Sequence, residues 1–537
     1  MKSICAIYFS NNELHCLEVA YGIAALQSIN NDVYVQRIES SNLDRVLQLI
    51  KKESIELFVI FLSYGCYDLL TKICSEIKYA NVYAKIVICH TLVNSYYKEL
   101  LNEIPQIDIA ILGEYEETLI ELSDLFLNGK EVRYCKGIAF KDGGKIIVNK
   151  PRPLADIDKL PFPNRDFDYQ GSNYFHVYGS RGCEGYCTFC DRNSLYSNSG
   201  VHCVRCRSIE NIIKEIDYLV EKYQCKFICF SDPTFVSSND VVDRLNKLYD
   251  ALSKRDYWVQ FTFNIRAEQI NEAVVQSLIS LKNYGLGKIF IGIESFNESD
   301  LRLYGKRAGL QSINKCVNLL EAFTELTDDY YAKVEYGFIN FNPYSTFDGL
   351  RNNIQTFKDL RLNLNPYIIT SKLTANSLTS ISTKIDLDCL FPFHLGLLPL
   401  RDALKYKFNY NFVNKEVQKV YTLVMKVNKK ISIPNDNGIE FLRNRYIHYY
   451  GYGPLIKKYD KAYCEWLNAV NEFSYNIFMF ILNSIDNSDI HIQIDIKTAQ
   501  FLESYYNLEK KLKGIQQRVL IELKKIDQLI YYKPIFG

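Results

Sequence analysis

From the amino terminus to about residue 375, short apolar runs of β type alternate with amphipathic stretches. In the first 130 residues the runs are Ile4–Phe9, Val33–Ile38, Leu57–Ser63, Lys85–Cys89 and Ile107–Leu112, separated by helix-like stretches such as Leu14–Ile29 and Leu43–Lys51. An alternation of this kind is satisfied by parallel strands joined through crossover helices, and it predicts a doubly wound, Rossmann-like domain. Ligands of such domains sit at the carboxyl ends of the strands.

Two extended runs within Cys135–Asn149, on either side of Asp142-Gly143-Gly144, predict a β-hairpin. Pro151, Pro153, Pro161 and Pro163 follow, a density that suits a semi-rigid connector. The alternation then resumes with larger units. Strands are predicted at Phe175–Gly179, Lys226–Ser231, Trp258–Ile265, Lys288–Glu294, Lys333–Ile339 and Tyr367–Leu373. Six β-α units in succession predict a partial (β/α)6 barrel related to the eight-stranded TIM barrel, with reactive groups at the carboxyl ends of its strands. Beyond residue 376 the strand signal fades, and residues 405–537 read as mostly helical. The expected organisation is a Rossmann-like domain over 1–132, a hairpin and connector over 133–172, the partial barrel over 173–375 and a helical domain over 376–537.

A chain of 537 residues exceeds one compact domain. Its net charge of +1 gives no electrostatic case for nucleic acid or an anionic membrane as a partner. The first apolar run is broken at Asn11-Asn12-Glu13, too early for a signal peptide, and no stretch reaches the ~18 apolar residues of a membrane span. A cytoplasmic location is expected, where sixteen cysteines serve as metal ligands or small hydrophobes rather than disulfides.

The chemistry concentrates in Tyr178-Gly-Ser-Arg-Gly-Cys183-Glu-Gly-Tyr-Cys187-Thr-Phe-Cys190. Three thiolates spaced C-x3-C-x2-C in one loop after a strand can hold three irons of a cubane and leave the fourth without a protein ligand. An open position separates a catalytic metal site from a structural one. The competing reading is zinc, with Cys203, Cys206 or His202 as a fourth ligand. Cys203-x2-Cys206 alone cannot hold a second cubane and is read as a pair of free thiols.

This spacing resembles the signature of the radical S-adenosylmethionine (SAM) superfamily. The resemblance implies a 4Fe-4S cluster on Cys183, Cys187 and Cys190, with SAM on the unique iron and Phe189 beside adenine. It extends to the ends of later strands, at Ser231-Asp232-Pro233-Thr234, Asn264-Ile265-Arg266-Ala267 and Gly292-Ile293-Glu294-Ser295. Asp232, Arg266, Glu294 and Ser295 are thereby implied as SAM contacts. Arg266 and Glu294, each taken alone, also read as members of ordinary strand-end ion pairs. Lys306-Arg307 matches the family in style and receives no role.

The first domain and its connector resemble the cobalamin-binding domain of one radical SAM class. The resemblance rests on Leu112-Gly113-Glu114-Tyr115-Glu116-Glu117-Thr118, Gly137-Ile138-Ala139 and Leu160-Pro161-Phe162-Pro163. It implies cobalamin near Ser63, Gly65, His90, Gly113 and Glu114. No Asp-x-His-x-x-Gly motif supplies a lower ligand to cobalt, and Val87-Ile88-Cys89-His90-Thr91 stands where the class usually places paired glycines. A domain kept as scaffold is the competing account.

The expected function is reductive cleavage of SAM to a 5′-deoxyadenosyl radical that modifies an unactivated carbon of a small-molecule or peptide substrate. Cobalamin-dependent C-methylation in natural-product biosynthesis is favoured. The expected reducing partner is a flavodoxin or ferredoxin. The alternatives are a non-methylating radical cyclisation, rearrangement or epimerisation, and a methylthiotransferase. The last is disfavoured because Cys5, Cys16, Cys66, Cys74 and Cys89 are scattered among strands and helices.

Overall fold

A computed structural model describes residues 3–9, 13–29, 32–39, 41–52, 55–192, 203–326, 334–431 and 439–531. Its strands are β1 (Ser3–Tyr8), β2 (Val33–Arg37), β3 (Ile55–Phe61), β4 (Lys85–Cys89), β5 (Ile109–Ile111), β6 (Ile138–Asp142), β7 (Lys145–Val148), β8 (Tyr174–Val177), β9 (Ser180–Arg181), β10 (Arg205–Cys206), β11 (Phe227–Phe230), β12 (Gln260–Arg266), β13 (Leu286–Glu294) and β14 (Val334–Phe338). The helices of the first sheet are α1 (Glu13–Gln27), α2 (Leu43–Lys52), α3 (Tyr67–Ala80), α4 (Thr91–Glu103) and α5 (Glu116–Leu127). Next come α6 (Ile209–Tyr223), α7 (Val241–Leu252), α8 (Glu272–Lys282), α9 (Glu298–Leu303), α10 (Leu310–Leu326), α11 (Phe347–Asp359) and α12 (Pro366–Thr370). The chain continues through α13 (Ser380–Leu387), α14 (Leu400–Ala403), α15 (Lys415–Asn428), α16 (Ile439–Tyr450), α17 (Pro454–Ser484) and α18 (Ile490–Tyr531).

These elements form two compact units. One comprises Met1–Cys225, Ser231–Pro233 and Thr374–Asn409; the other comprises Lys226–Phe230, Thr234–Leu373 and Tyr410–Gly537.

The first unit is built on a seven-stranded sheet in the order β2-β1-β3-β4-β5-β6-β7. Strands β1 to β5 run parallel, and β6 and β7 antiparallel. Both faces are covered. Cys5, Ile7, Phe58 and Ile60 pack against Val46, Ile73 and Leu100 of α2, α3 and α4. Their neighbours Ile4, Ala6, Leu57 and Val59 pack on the other side against Ile23 of α1 and Leu119 of α5. Burial on both faces is why these strands read as unbroken apolar runs rather than as alternating ones. The hairpin falls where it was predicted, with Gly143 (φ 56°) and Gly144 (φ 82°) supplying the left-handed turn between β6 and β7.

In the second unit, four parallel strands lie in the order β14-β13-β12-β11. Side chains alternate along them. Ile289, Ile291 and Ile293 are fully buried, while Lys288, Phe290, Gly292 and Glu294 occupy the opposite face. The described residues beyond 405 are mostly helical, as expected.

The sixth predicted strand, Tyr367–Leu373, is a correction. Pro366–Thr370 is helical: the Asn365 side chain accepts from the N–H groups of Tyr367 and Ile368, and Pro366 occupies the first turn. The β-branched run that suggested a strand is overridden by that cap. Strand character survives only as one parallel bridge, Phe341 to Lys372, with Phe341 N–H on Ser371 O at 2.9 Å and Leu373 N–H on Phe341 O at 2.7 Å.

Candidate functional site

The cysteine loop lies in the first unit, directly after β8 and β9. Asp232, with no exposed surface, accepts from the N–H groups of Gly179 at 2.8 Å and Ser180 at 2.9 Å. That carboxylate pins the chain as it enters the loop. Gly182 follows with φ 89°, and a Cβ there would meet the Cys203 carbonyl oxygen at 2.1 Å, so only glycine fits. The Gly185 N–H donates to Cys183 Sγ at 3.3 Å. The Cys190 N–H donates to Cys187 O at 3.1 Å, closing a turn with Thr188 and Phe189 at its tip. The Thr188 carbonyl accepts from Ile381 N–H at 2.9 Å and Ser380 Oγ at 3.2 Å, so the start of α13 holds the loop from the other side.

All three cysteines are partly exposed. Burial pushes the Cys190 thiol up to about 11, so iron, which binds thiolates, displaces a proton there. Among the described residues no three His, Cys, Asp or Glu side chains are gathered as ligands of a single ion. A cubane asks for a wider triangle, because each thiolate binds a different iron. His202, named above as an alternative zinc ligand, lies outside the described residues.

The other predicted residues of the first unit sit at the carboxyl ends of β3, β4 and β5. Ser63, Tyr64 and Gly65 follow β3, and Gly65 (φ 77°) donates to the carbonyl of Leu404, the residue after α14. Tyr64 donates to Asp191 Oδ2 at 2.9 Å, next to Cys190. Gly113 (φ 87°) donates to Asn94 Oδ1 at 2.6 Å. A Cβ on Gly65 or Gly113 would meet open space. His90 and Glu114 are in a different situation. His90 Nε2 is 2.6 Å from Glu18 Oε2. Glu114 pairs with Arg181 and Arg205 and accepts from Ala155 N–H at 3.1 Å, while Arg181 also reaches Glu116 at 2.5 Å. Burial pushes the Glu114 carboxyl up, but the two arginines outweigh it and hold it below the usual range. The cavity among these groups is only about 50 Å³, room for a few waters. Gly65 and Gly113 thus leave clearance of the kind a bulky ring needs, whereas the side chains of His90 and Glu114 are engaged by Glu18, Arg181 and Arg205.

In the second unit the ends of β12 and β13 bring three charges together. Arg266 is paired in register with Gly292, two residues before Glu294. Its Nε donates to Glu268 Oε1 at 2.6 Å and its N–H to Gln269 Oε1 at 3.0 Å. Glu294 adopts φ 67°, an uncommon conformation for this residue type. Burial pushes its carboxyl above the usual range against the opposing pull of Lys306, whose Nζ lies 3.6 Å away, and of Arg266. Lys306 also donates to Gly292 O at 2.8 Å. A Cβ on Gly292 would strike Glu294 Oε1 at 2.4 Å, which explains the glycine. Ser295 is wholly buried, donating to Asp300 Oδ2 at 2.9 Å beside Asn353. Lys306 had no assigned role in the sequence, and only the fold brings it beside Glu294. The same holds for Ser380 and Ile381, whose distance along the chain from the cysteines hid their contact.

With this geometry in view, the comparisons with known proteins are informative. Residues 177–332 match the family model of the radical SAM superfamily. These residues form a radical SAM domain. An uncharacterized methyltransferase of Pyrococcus horikoshii is 29% identical over 213 residues, 38% of this chain and 44% of the relative. A putative methylthiotransferase of Methanocaldococcus jannaschii is 27% identical over 221 residues, 39% of this chain and 45% of the relative. The chain thus spans less than half the length of these curated relatives. The fold as a whole is similar to that of the cobalamin-dependent SAM radical enzyme OxsB with aqua-cobalamin bound, at a TM-score of 0.68 and 16% identity, covering 98% of this chain and 81% of that one. No helix among the described residues is long and apolar enough to cross a membrane.

Proposed function

We propose that the chain is a radical SAM enzyme of the cobalamin-dependent class, and that it modifies an unactivated carbon of a small-molecule or peptide substrate, most simply by C-methylation. The observation that carries this reading is the Cys183–Cys190 loop, pinned at its entry by Asp232 and at its turn by α13. Cys183, Cys187 and Cys190 would hold a 4Fe-4S cluster, which when bound supplies the electron that splits SAM into methionine and a 5′-deoxyadenosyl radical.

The chain's own residues take the following roles. Phe189, at the tip of the turn, lies beside adenine. Arg266 binds the SAM carboxylate, and Glu294, positioned by Lys306, accepts from a polar hydrogen of SAM. Asp232 acts as a positioning residue through Oδ1, which accepts from the Gly179 and Ser180 N–H groups, and Ser295 through its bond to Asp300. Ser63, Gly65 and Gly113 would hold cobalamin. The electron comes from a small reducing protein such as a flavodoxin or ferredoxin.

A methylthiotransferase reading draws support from the methanogen relative. By the family resemblance it asks for a second cluster on cysteines of the first domain. Cys5, Cys66 and Cys74 lie in the core on one side of the first sheet and Cys89 on the other. Burial pushes the Cys5 and Cys66 thiols up to about 12. Thiols in such surroundings behave as small hydrophobes, so the carbon-modifying reading is favoured.

The test is anaerobic purification in the presence of hydroxocobalamin, with iron, sulfide and corrinoid quantified. About four irons and one corrinoid per chain support the proposal. Four irons without corrinoid sink methylation through cobalamin, and about eight irons favour a methylthiotransferase.

A further inference from the structure

A second cavity opens in the second unit at the amino-terminal ends of β13 and β14, away from the ends that carry Arg266 and Glu294. Its volume is about 400 Å³, within the range of small-molecule sites. Lys288 of β13 and Glu335 of β14 border it, together with residues of α12, α16, α17 and α18. Between Lys288 and Glu294 the strand runs about 20 Å, so a small molecule held here does not reach the strand-end charges.

The walls are aromatic. Tyr336, Tyr367 and Tyr463 line the cavity, and the Tyr463 ring is backed by Trp466 with 5.7 Å between centroids. Among the described lining residues the side chains charged at neutral pH are Lys288, Glu335 and Glu440. Lys288 and Glu440 neutralise each other at 3.1 Å. Glu335 is exposed and makes no ion pair or hydrogen bond among the described residues. Lys288 also feels the charge of Glu335, so the described lining sets two carboxylates against one ammonium and carries an excess negative charge among tyrosine rings, whose faces are electron-rich.

We propose that this cavity is a binding site for an organic cation, an amine or quaternary ammonium group held by Glu335 and the rings of Tyr367 and Tyr463. The site is separate from the radical chemistry and does not depend on it.

The test uses the whole chain and one tryptophan as reporter. The chain has two tryptophans, and Trp258 stacks on His448 rather than lining the cavity. Trp258→Phe therefore leaves Trp466 as the only emitter. Choline and its neutral isostere 3,3-dimethylbutan-1-ol are titrated in parallel. The expected result is a saturable change in emission with choline, at least about tenfold tighter than with the isostere. Glu335→Gln in the same background weakens choline by about five- to tenfold and leaves the isostere unchanged. Tyr463→Leu is a second probe, weakening choline without reversing any charge, with circular dichroism verifying that each variant is folded. Equal affinity for choline and the isostere overturns the proposal. So does the absence of a saturable response, or a choline affinity that Glu335→Gln leaves untouched.

Discussion

Both units place charged groups at the carboxyl ends of parallel strands, and in both the charges are paired with one another; the two sets differ in the space beside them. In the first, Glu114 and Glu116 pair with Arg181 and Arg205, and His90 contacts Glu18, beside a cavity of about 50 Å³. In the second, Arg266 and Glu294 stand at adjacent strand ends above the paired glycines Gly292 and Gly337. Two residues before Gly292, Phe290 is 40% exposed although β13 is an interior strand. Interior strands of parallel sheets are normally covered on both faces. Space left over such a strand suits a small ligand, whereas the first network spends its charges on holding the protein together. Strand-end charge alone thus does not mark a ligand site, since both sets are ion-paired; the open space beside β13 is what separates them.

The largest effect that can sharpen this contrast lies outside both strand ends. Cys187→Ala removes one iron ligand, and the reconstituted variant is expected to lose iron and all measurable SAM cleavage while its circular dichroism stays that of the parent. Retained cleavage would mean that the loop is not the cluster site.

Arg181→Met probes the first network. It leaves Glu114 and Glu116 buried without their shared cation, and the chemical denaturation transition of this unit should lose about 3 kcal/mol. SAM binding, read by equilibrium dialysis, should hardly change. A loss of SAM affinity without a loss of stability would reverse the roles given to the two regions.

Glu294→Gln probes the second region through pH. The folded chain holds the Glu294 proton more tightly than the unfolded chain does, because burial raises this carboxyl above its usual 4.5. Its contribution to stability is therefore present below pH 4.5 and lost as pH rises through the raised value. As pH rises from 4.5 through the raised value, the parent should lose stability relative to the glutamine variant, by less than the Arg181 effect. Parallel stability curves for the two proteins would show that the carboxyl is not held above its ordinary value.

The smallest expected effect is Tyr64→Phe, which deletes the hydrogen bond to Asp191 next to the cysteine loop. About 1 kcal/mol of stability should go. If corrinoid binds beside Gly65, its affinity should fall with it, and a change in stability alone would leave Tyr64 a purely structural residue.

The sequence carried the fold well where physics is local or strictly periodic. Runs such as Leu57–Leu62 are apolar throughout because both faces are buried, and Asp142-Gly143-Gly144 contains the residues a tight hairpin turn demands. It misled at Tyr367–Leu373, where β-branched composition outvoted the Asn365-Pro366 helix start in the reading and not in the chain. The cysteine loop was legible because its ligands lie within eight residues of one another. Its support by Ser380 and Ile381, nearly 200 residues away, was not, since nothing in the spacing of a helix start says which loop it will meet. Nor could the spacing separate His90 and Glu114, which are tied into ion pairs, from Gly65 and Gly113, which face open space. That difference depends on Glu18, Arg181 and Arg205 arriving from three other segments.

The central claim is that Cys183, Cys187 and Cys190 hold a cluster that cleaves SAM reductively. The most direct measurement is formation of 5′-deoxyadenosine by the reconstituted chain with SAM and dithionite, with the Cys187→Ala variant beside it. The account predicts 5′-deoxyadenosine from the parent and none above background from the variant. Equal amounts from both, or none from a parent that carries about four irons per chain, would contradict it.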